Sequence, residues 1–174
     1  MSQDYFSLFG LKPDFRIDHA RLTENFRRLQ QAVHPDRFAS ASAQQQRLAL
    51  TRTAEINDAY AVLRDPVKRA QYLLSKSRGL ETDNQSTVSD PGFLMEQMEL
   101  REKLESLDGE ADAESLNRFS DQVAGRLRDK ERQLAGAFAD LEDRLPDIQK
   151  LILHLQFLQK LQFEIEQKED KLYQ

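Results

Sequence analysis

The chain has 174 residues, 30 of them acidic and 25 basic, and the resulting net charge of −5 disfavours a general nucleic-acid binder. It contains no Cys, which excludes a disulfide framework, a thiolate zinc site, a cysteine nucleophile and a Cys-ligated iron–sulfur cluster carried by the chain itself. With 39% hydrophobic residues, 6 Gly, 5 Pro and no Trp, the composition favours a packed all-α protein of one large or two small domains.

No apolar stretch approaches the roughly 20 residues of a membrane-spanning helix, and Met1-Ser2-Gln3-Asp4 lacks the basic start of a secretory signal. A cytoplasmic protein is expected. Charge divides the chain: residues 1–76 hold 12 basic against 8 acidic side chains, and residues 77–174 hold 13 against 22. The stretch from Ser75 to Thr87 is polar and poor in aliphatics, as a connecting segment is. The expected division is therefore a first domain over 1–76, a linker over 77–89 and a second domain over 90–174.

In chain order, Asp4 to Leu11 reads as a short apolar helix stopped by Gly10. Asp18 is placed to cap a helix in which Leu22, Phe26, Leu29 and Val33 form one stripe, and Pro35 ends it. Ser42 and Gln45 have the spacing of a capping box, and Leu48, Ile56, Ala59, Tyr60 and Leu63 mark the expected inward face of the long helix that follows. Asp65-Pro66 restarts a shorter helix carrying Val67, Ala70 and Leu74, while Tyr72, Leu73 and Leu74 could pack either at home or against the second domain. In the second half, Asp90-Pro91 opens a helix to Leu107 closed by Gly109, Asp112 opens another to about Leu141, and Pro146 starts a third reaching about Leu172. Three such helices with short connections form an antiparallel three-helix bundle.

The tripeptide His34-Pro35-Asp36 sits where the proline ring forces the chain out of the preceding helix, which makes a rigid, exposed corner. On that helix Arg27, Arg28 and Gln31 lie opposite Leu22, Phe26 and Leu29, giving a basic face that leads into the corner. Read alone, the tripeptide only stops a helix and turns the chain. Its setting says more. Glu24-Asn25-Phe26-Arg27-Arg28-Leu29, then Val33-His34-Pro35-Asp36-Arg37, then Asp65-Pro66-Val67-Lys68-Arg69-Ala70 after a long helix, resembles the J domain of DnaJ-type co-chaperones over residues 4–75. The resemblance implies docking on a heat-shock chaperone whose ATPase is stimulated, with His34, Pro35 and Asp36 as the trigger and Arg27, Arg28 and Arg37 as salt-sensitive electrostatic contacts. Val33 and Arg37 flank the tripeptide where many J domains have Tyr and Lys, and Gln30-Gln31 replaces further Lys. The thinner positive face suggests a specialised chaperone.

The segment Phe93 to Leu104 has two apolar faces. Phe93, Leu100, Leu104 and Leu107 cluster on one side of a helical wheel, and Leu94, Met95 and Met98 fall on the other beside Glu99, Glu102 and Glu105. A bundle buries one stripe, so the second suggests a protein-binding face rich in adaptable Met. In the last helix Ile148, Leu151, Ile152, Leu155 and Leu158 point inward, while Leu153 and Phe157 project away, so that Phe157 could join the outer patch. Those residues could instead pack against the first domain or a second copy of the chain.

A J domain followed by a bundle beginning Phe93-Leu94-Met95-Glu96-Gln97-Met98-Glu99-Leu100-Arg101-Glu102 resembles the HscB family, the J-type co-chaperones of bacterial iron–sulfur cluster assembly. That resemblance implies that the bundle carries the scaffold protein IscU to the DnaK-type chaperone HscA. It places Leu94, Met95, Met98, Glu99, Glu102 and Phe157 in the scaffold-binding patch, with Ser106 standing where an acidic residue is expected. The missing Cys also removes the zinc module of eukaryotic relatives, in keeping with a bacterial, cytoplasmic protein. The rival readings are a J-domain protein with another client, an adaptor whose bundle serves dimerisation, and an enzyme using His34 and Asp36. The last is disfavoured because two residues flanking a proline in an exposed turn make no dehydrated pocket. His19, His34 and His154 match no zinc spacing, His19 and His154 reading as ordinary partly exposed helix residues, so no metal or cofactor is expected.

Overall fold

A computed structural model describes residues 4–78, 90–107 and 113–172, and the chain divides into two compact units, Met1–Thr82 and Asp83–Gln174. Among the described residues every regular element is helical.

The first unit contains α1 (Tyr5–Leu8), α2 (His19–Val33), α3 (Ala43–Arg64) and α4 (Pro66–Arg78), with one 3-10 turn at Pro35–Phe38. Asp4 caps α1 by accepting from the Ser7 N–H, and Gly10, at φ 61°, supplies the left-handed residue that stops it. Asp18 caps α2, and Ser42 with Gln45 closes a reciprocal capping box on α3. α2 and α3 run antiparallel: Thr23 and Phe26 face Tyr60, Gln30 bonds Asn57 at 3.0 Å, and Thr53 lies 3.5 Å from the Val33 carbonyl. Between them sits a core of Phe6, Phe9, Leu22, Ile56, Ala59 and Leu63. Each large side chain removed from water there contributes about 1.5–3 kcal/mol before entropy is charged.

One expected core position is wrong. Leu48 is 58% exposed, and Ala49 is buried in its place. Ala49 lies seven residues before Ile56, two full turns, whereas an eight-residue step swings Leu48 about 80° off the stripe.

α4 is fastened by polar contacts that hydropathy does not reveal. Arg69 is buried, donates to the Leu63 carbonyl at 2.6 Å and lies 4.7 Å over the Phe15 ring. Tyr72 stacks on Tyr5 at 4.5 Å, accepts from the Tyr5 N–H at 3.0 Å and donates to Asp4 at 2.9 Å. Tyr72 and Leu73 thus pack against the core of their own unit. Burial pushes the Asp4 carboxyl up. Hydrogen bonds from Lys76, the Ser7 N–H, Tyr72 and the Ser7 hydroxyl outweigh that and hold it at about 2, against an ordinary 3.8. The tie between the chain start and α4 is therefore complete above pH 3.8 and is lost as pH falls through about 2.

The second unit contains α5 (Pro91–Ser106), α6 (Ala113–Ala137) and α7 (Leu145–Leu172), with a 3-10 turn at Phe138–Asp140 ending α6 earlier than Leu141. Asp112 and Gly109 fall outside the described residues. Sequence neighbours are antiparallel, Lys103 bonding Gln122 and Gln162 bonding Ser120, so α5 and α7 lie parallel. Leu100, Leu104, Leu116, Phe119, Val123, Leu158, Leu161 and Ile165 make the core. Toward the other end, Leu134, Ala137, Ile148 and Ile152 are also buried. α5 is 16 residues long against 25 and 28 for its partners, so α6 and α7 continue past its N-terminus.

Asn25 is the buried polar group of α2, donating to the Phe9 carbonyl at 2.8 Å and accepting from Arg28. Asn25→Ala strips both bonds and is expected to destabilise the first unit by about 1–2 kcal/mol. A urea titration followed through NMR signals of Phe6, Leu22 and Leu63 checks this.

Candidate functional site

Two surfaces, one on each unit, collect the residues singled out from the sequence. On the first, His34 leaves the helical region at φ −54°, ψ 130°, and Pro35 opens the 3-10 turn. The proline cannot extend α2 and biases His34 toward extended backbone, so the corner is set by covalent geometry. His34 Nδ1 accepts from the Asp36 N–H at 3.3 Å, which in the neutral ring leaves the hydrogen on Nε2. The side chains of His34 and Asp36 are 57% and 91% exposed, so both stand in water at the corner.

Arg37 folds back to donate to the Gln31 carbonyl at 3.2 Å, satisfying an acceptor at the end of α2 and joining the turn to the helix. Gln46 secures the far side of the corner through the Ala39 and Ala41 carbonyls, at 3.1 and 3.2 Å. Arg27, Arg28 and Gln31 are exposed and share a shallow concavity with Thr23 and Glu24. The structure thus brings the five named polar side chains, His34, Asp36, Arg27, Arg28 and Arg37, onto α2 and the turn that follows it.

On the second unit, α5 buries Leu100 and Leu104 and leaves Leu94, Met95 and Met98 at 58%, 64% and 58% exposure. Glu99 and Glu102 are exposed beside them. Besides burying Leu100 and Leu104, the helix is tied to its neighbours by ion pairs. Asp90 caps it at the Phe93 N–H and receives Lys150 at 2.6 Å, a cation that holds its carboxyl below the usual range. Glu96 pairs with Arg126. Ser106 bonds back to the Lys103 carbonyl at 2.8 Å, so its hydroxyl serves its own last turn.

Phe157 does not stand free on α7. It is half-buried against the bundle core, edge-on to Phe93 at 5.9 Å, with the Arg101 guanidinium 5.8 Å over its ring. Arg101 in turn bonds Glu164 at 3.3 Å. Arg101 thus joins the candidate patch through contacts the wheel could not show, since its partners lie more than 50 positions away in sequence. His154 also departs from expectation. It is 9% exposed, not partly exposed, and its ring stacks on Phe93 at 3.7 Å. The cross-helix aromatic stack with Phe93 draws it in.

Among the described residues no group of three His, Asp or Glu side chains is close enough to hold a metal ion, and no helix is long and apolar enough to cross a membrane.

Known proteins match on the same two units. Residues 4–72 match the DnaJ domain family, and residues 89–166 match the family described as the HSCB C-terminal oligomerisation domain. A co-chaperone protein HscB homolog from Vibrio vulnificus is 45% identical over 173 residues, covering 98% of this chain and 99% of that one. Its counterpart from Shewanella woodyi is 40% identical over 181 residues, covering 98% and 99%. Among solved structures, chaperone HscB from Vibrio cholerae superposes with a TM-score of 0.86 at 43% identity, covering 98% of this chain and 99% of that one. Human co-chaperone protein HscB gives 0.84 at 28% identity, covering 96% and 82%.

The exposures make a thermodynamic distinction within the second patch. Leu94→Gln and Met98→Gln, on the open face, are expected to change stability by no more than about 0.5 kcal/mol. Phe157→Ala removes a half-buried ring and is expected to cost about 2 kcal/mol. Thermal or urea unfolding of the three variants tests the contrast.

Proposed function

This chain belongs to the HscB family of J-domain co-chaperones, and we propose that it carries the iron–sulfur scaffold IscU to the specialised heat-shock chaperone HscA while stimulating that chaperone's ATPase. In this reading residues 1–76 are the J domain, 77–89 connect, and 90–174 bind the scaffold.

The observation that carries the reading is the exposure of Leu94, Met95 and Met98 on a helix whose core stripe is already satisfied by Leu100 and Leu104. Apolar side chains gathered on one exposed face, rimmed by Glu99 and Glu102, suit a partner with its own apolar patch and basic rim. Phe157, steadied by Phe93 and Arg101, would supply the aromatic anchor at the edge of that contact. The two Met side chains can re-pack against a moving client.

At the other surface, His34, Pro35 and Asp36 would engage the chaperone while Arg27, Arg28 and Arg37 draw it in electrostatically. Joining both sites in one chain raises the local concentration of scaffold at the chaperone and couples hydrolysis to delivery without chemistry by the co-chaperone itself. The family description of the second unit favours one other use of the same face, self-association.

A coupled assay separates these uses. Chaperone ATP turnover is measured with this protein alone, with scaffold alone and with both. His34→Gln is expected to abolish stimulation and leave scaffold affinity unchanged. Leu94→Gln combined with Met98→Gln is expected to weaken scaffold binding by about tenfold or more, the loss of about 1.4 kcal/mol, and to spare basal stimulation. Equal loss of both activities in either variant contradicts the division of labour. Sedimentation of the double variant shows whether the face also joins two copies.

A further inference from the structure

Past the N-terminus of α5, the exposed seam between α6 and α7 forms a groove of about 540 Å³ whose wall includes Lys130, Gly136, Lys150, Leu151 and His154. The His154 ring is the unusual member. It is buried, lies nearly parallel to Phe93 with an interplanar angle of 10°, and neither of its ring nitrogens has a hydrogen-bond partner or contact with solvent. A neutral imidazole in that position leaves one donor and one acceptor unsatisfied. A protonated one would leave two donors and a charge.

The surrounding charges do not rescue it. Asp90, the cap of α5, Glu96 on α5, Lys130 on α6 and Lys150 on α7 act on the ring electrostatically, while Arg132, Arg144 and Asp147 line the groove beside it. Both carboxylates on α5 are already engaged, Asp90 with Lys150 and Glu96 with Arg126. Burial holds the ring's pKa below the usual 6.5, Lys130 reinforces the shift, and the pull of Glu96 and Asp90 in the other direction is insufficient, with Lys150 adding to the lowering.

What rests on this ring matters for the docking face. Phe93 is stacked on it, is held at its N–H by the Asp90 cap, meets Phe157 edge-on, and directly precedes Leu94. We propose that His154 is a proton-sensitive positioning residue of the acidic–apolar face: protonation drives the ring toward water, frees Phe93 and the first turns of α5, and weakens partner docking on Leu94, Met95, Met98 and Phe157. The consequence for scaffold binding rests on the function proposed above; the loosening of α5 does not.

The sign follows from linkage. An opened, solvated ring titrates near 6.5 and the packed ring below it, so the packed state is fully favoured above pH 6.5 and loses ground as pH falls toward the lowered value. At pH 5.5 the opening equilibrium gains up to about tenfold.

The test uses the full chain, as wild type and as His154→Phe, which keeps an aromatic stack and cannot titrate. Amide exchange of α5 residues 94–98, corrected for intrinsic rates, is measured from pH 7.5 to 5.5, and binding of IscU is measured calorimetrically over the same range. In wild type alone, the α5 opening constant is expected to rise, by up to about tenfold, and its IscU affinity to fall relative to His154→Phe. An opening constant that stays flat in wild type, or rises equally in both proteins, overturns the inference. If IscU fails to bind either protein at any pH, the functional reading fails and the exchange result still decides the role of His154. Should His154→Phe not fold, wild-type α5 exchange is compared with that of α6 residues 116–123, and equal pH dependence in the two helices overturns the proposal.

Discussion

The second unit is governed by the limited burial available to α5. A helix offered to two others can hide only one stripe, and here Leu100 and Leu104 take it. Once they do, the 100° step of the helix turns Leu94, Met95 and Met98 outward. No rotation about the axis buries both sets. The apolar area left in water is thus a structural consequence of core formation, and the ion pairs Asp90–Lys150 and Glu96–Arg126 join the first turns of the helix to α7 and α6 in that orientation. Such partly exposed ion pairs contribute little stability each, but they set the rotation and register of a helix with a modest apolar footprint.

The first unit solves a different problem. It must hold a short polar tripeptide still in water. Covalent restriction at Pro35 does part of this, and bonds from Arg37 to Gln31 and from Gln46 to Ala39 and Ala41 fix the rest. A turn held this way loses little conformational entropy when a partner engages it. The same economy appears at α4, where Tyr72 and Lys76 both converge on Asp4 and lock the start of the chain onto the last helix of the unit.

Much of this was legible from side-chain spacing. The caps at Asp18, Ser42 and Asp90, the stop at Gly10 and the two-faced character of the segment after Phe93 all depend on neighbours within four residues, and all are present. What spacing could not show are contacts made across the fold. Arg101 reaches Phe157 and Glu164, Arg69 lies over Phe15, and His154 is captured by Phe93, each through a partner dozens of positions away. The error at Leu48 has another origin. At this position phase outranks hydrophobicity: Ala49 is the smaller residue but lies on the stripe.

The two surfaces differ in physical kind, and under the function proposed above that difference bears on how a bound partner is released. Attraction to a cationic corner acts over about a Debye length, speeds encounter and fades with salt. Contact through Leu, Met and a half-buried Phe has no such reach; it depends on shape and on the helix staying in place. A partner held by the second kind of contact leaves when the supporting geometry changes. In this bundle one aromatic cluster, Phe93 between His154 and Phe157, stands at the first turn of α5. Under the role proposed for His154, a small local change there reaches the exposed face, because Leu94 follows Phe93 directly and the next buried apolar residue of α5 is Leu100.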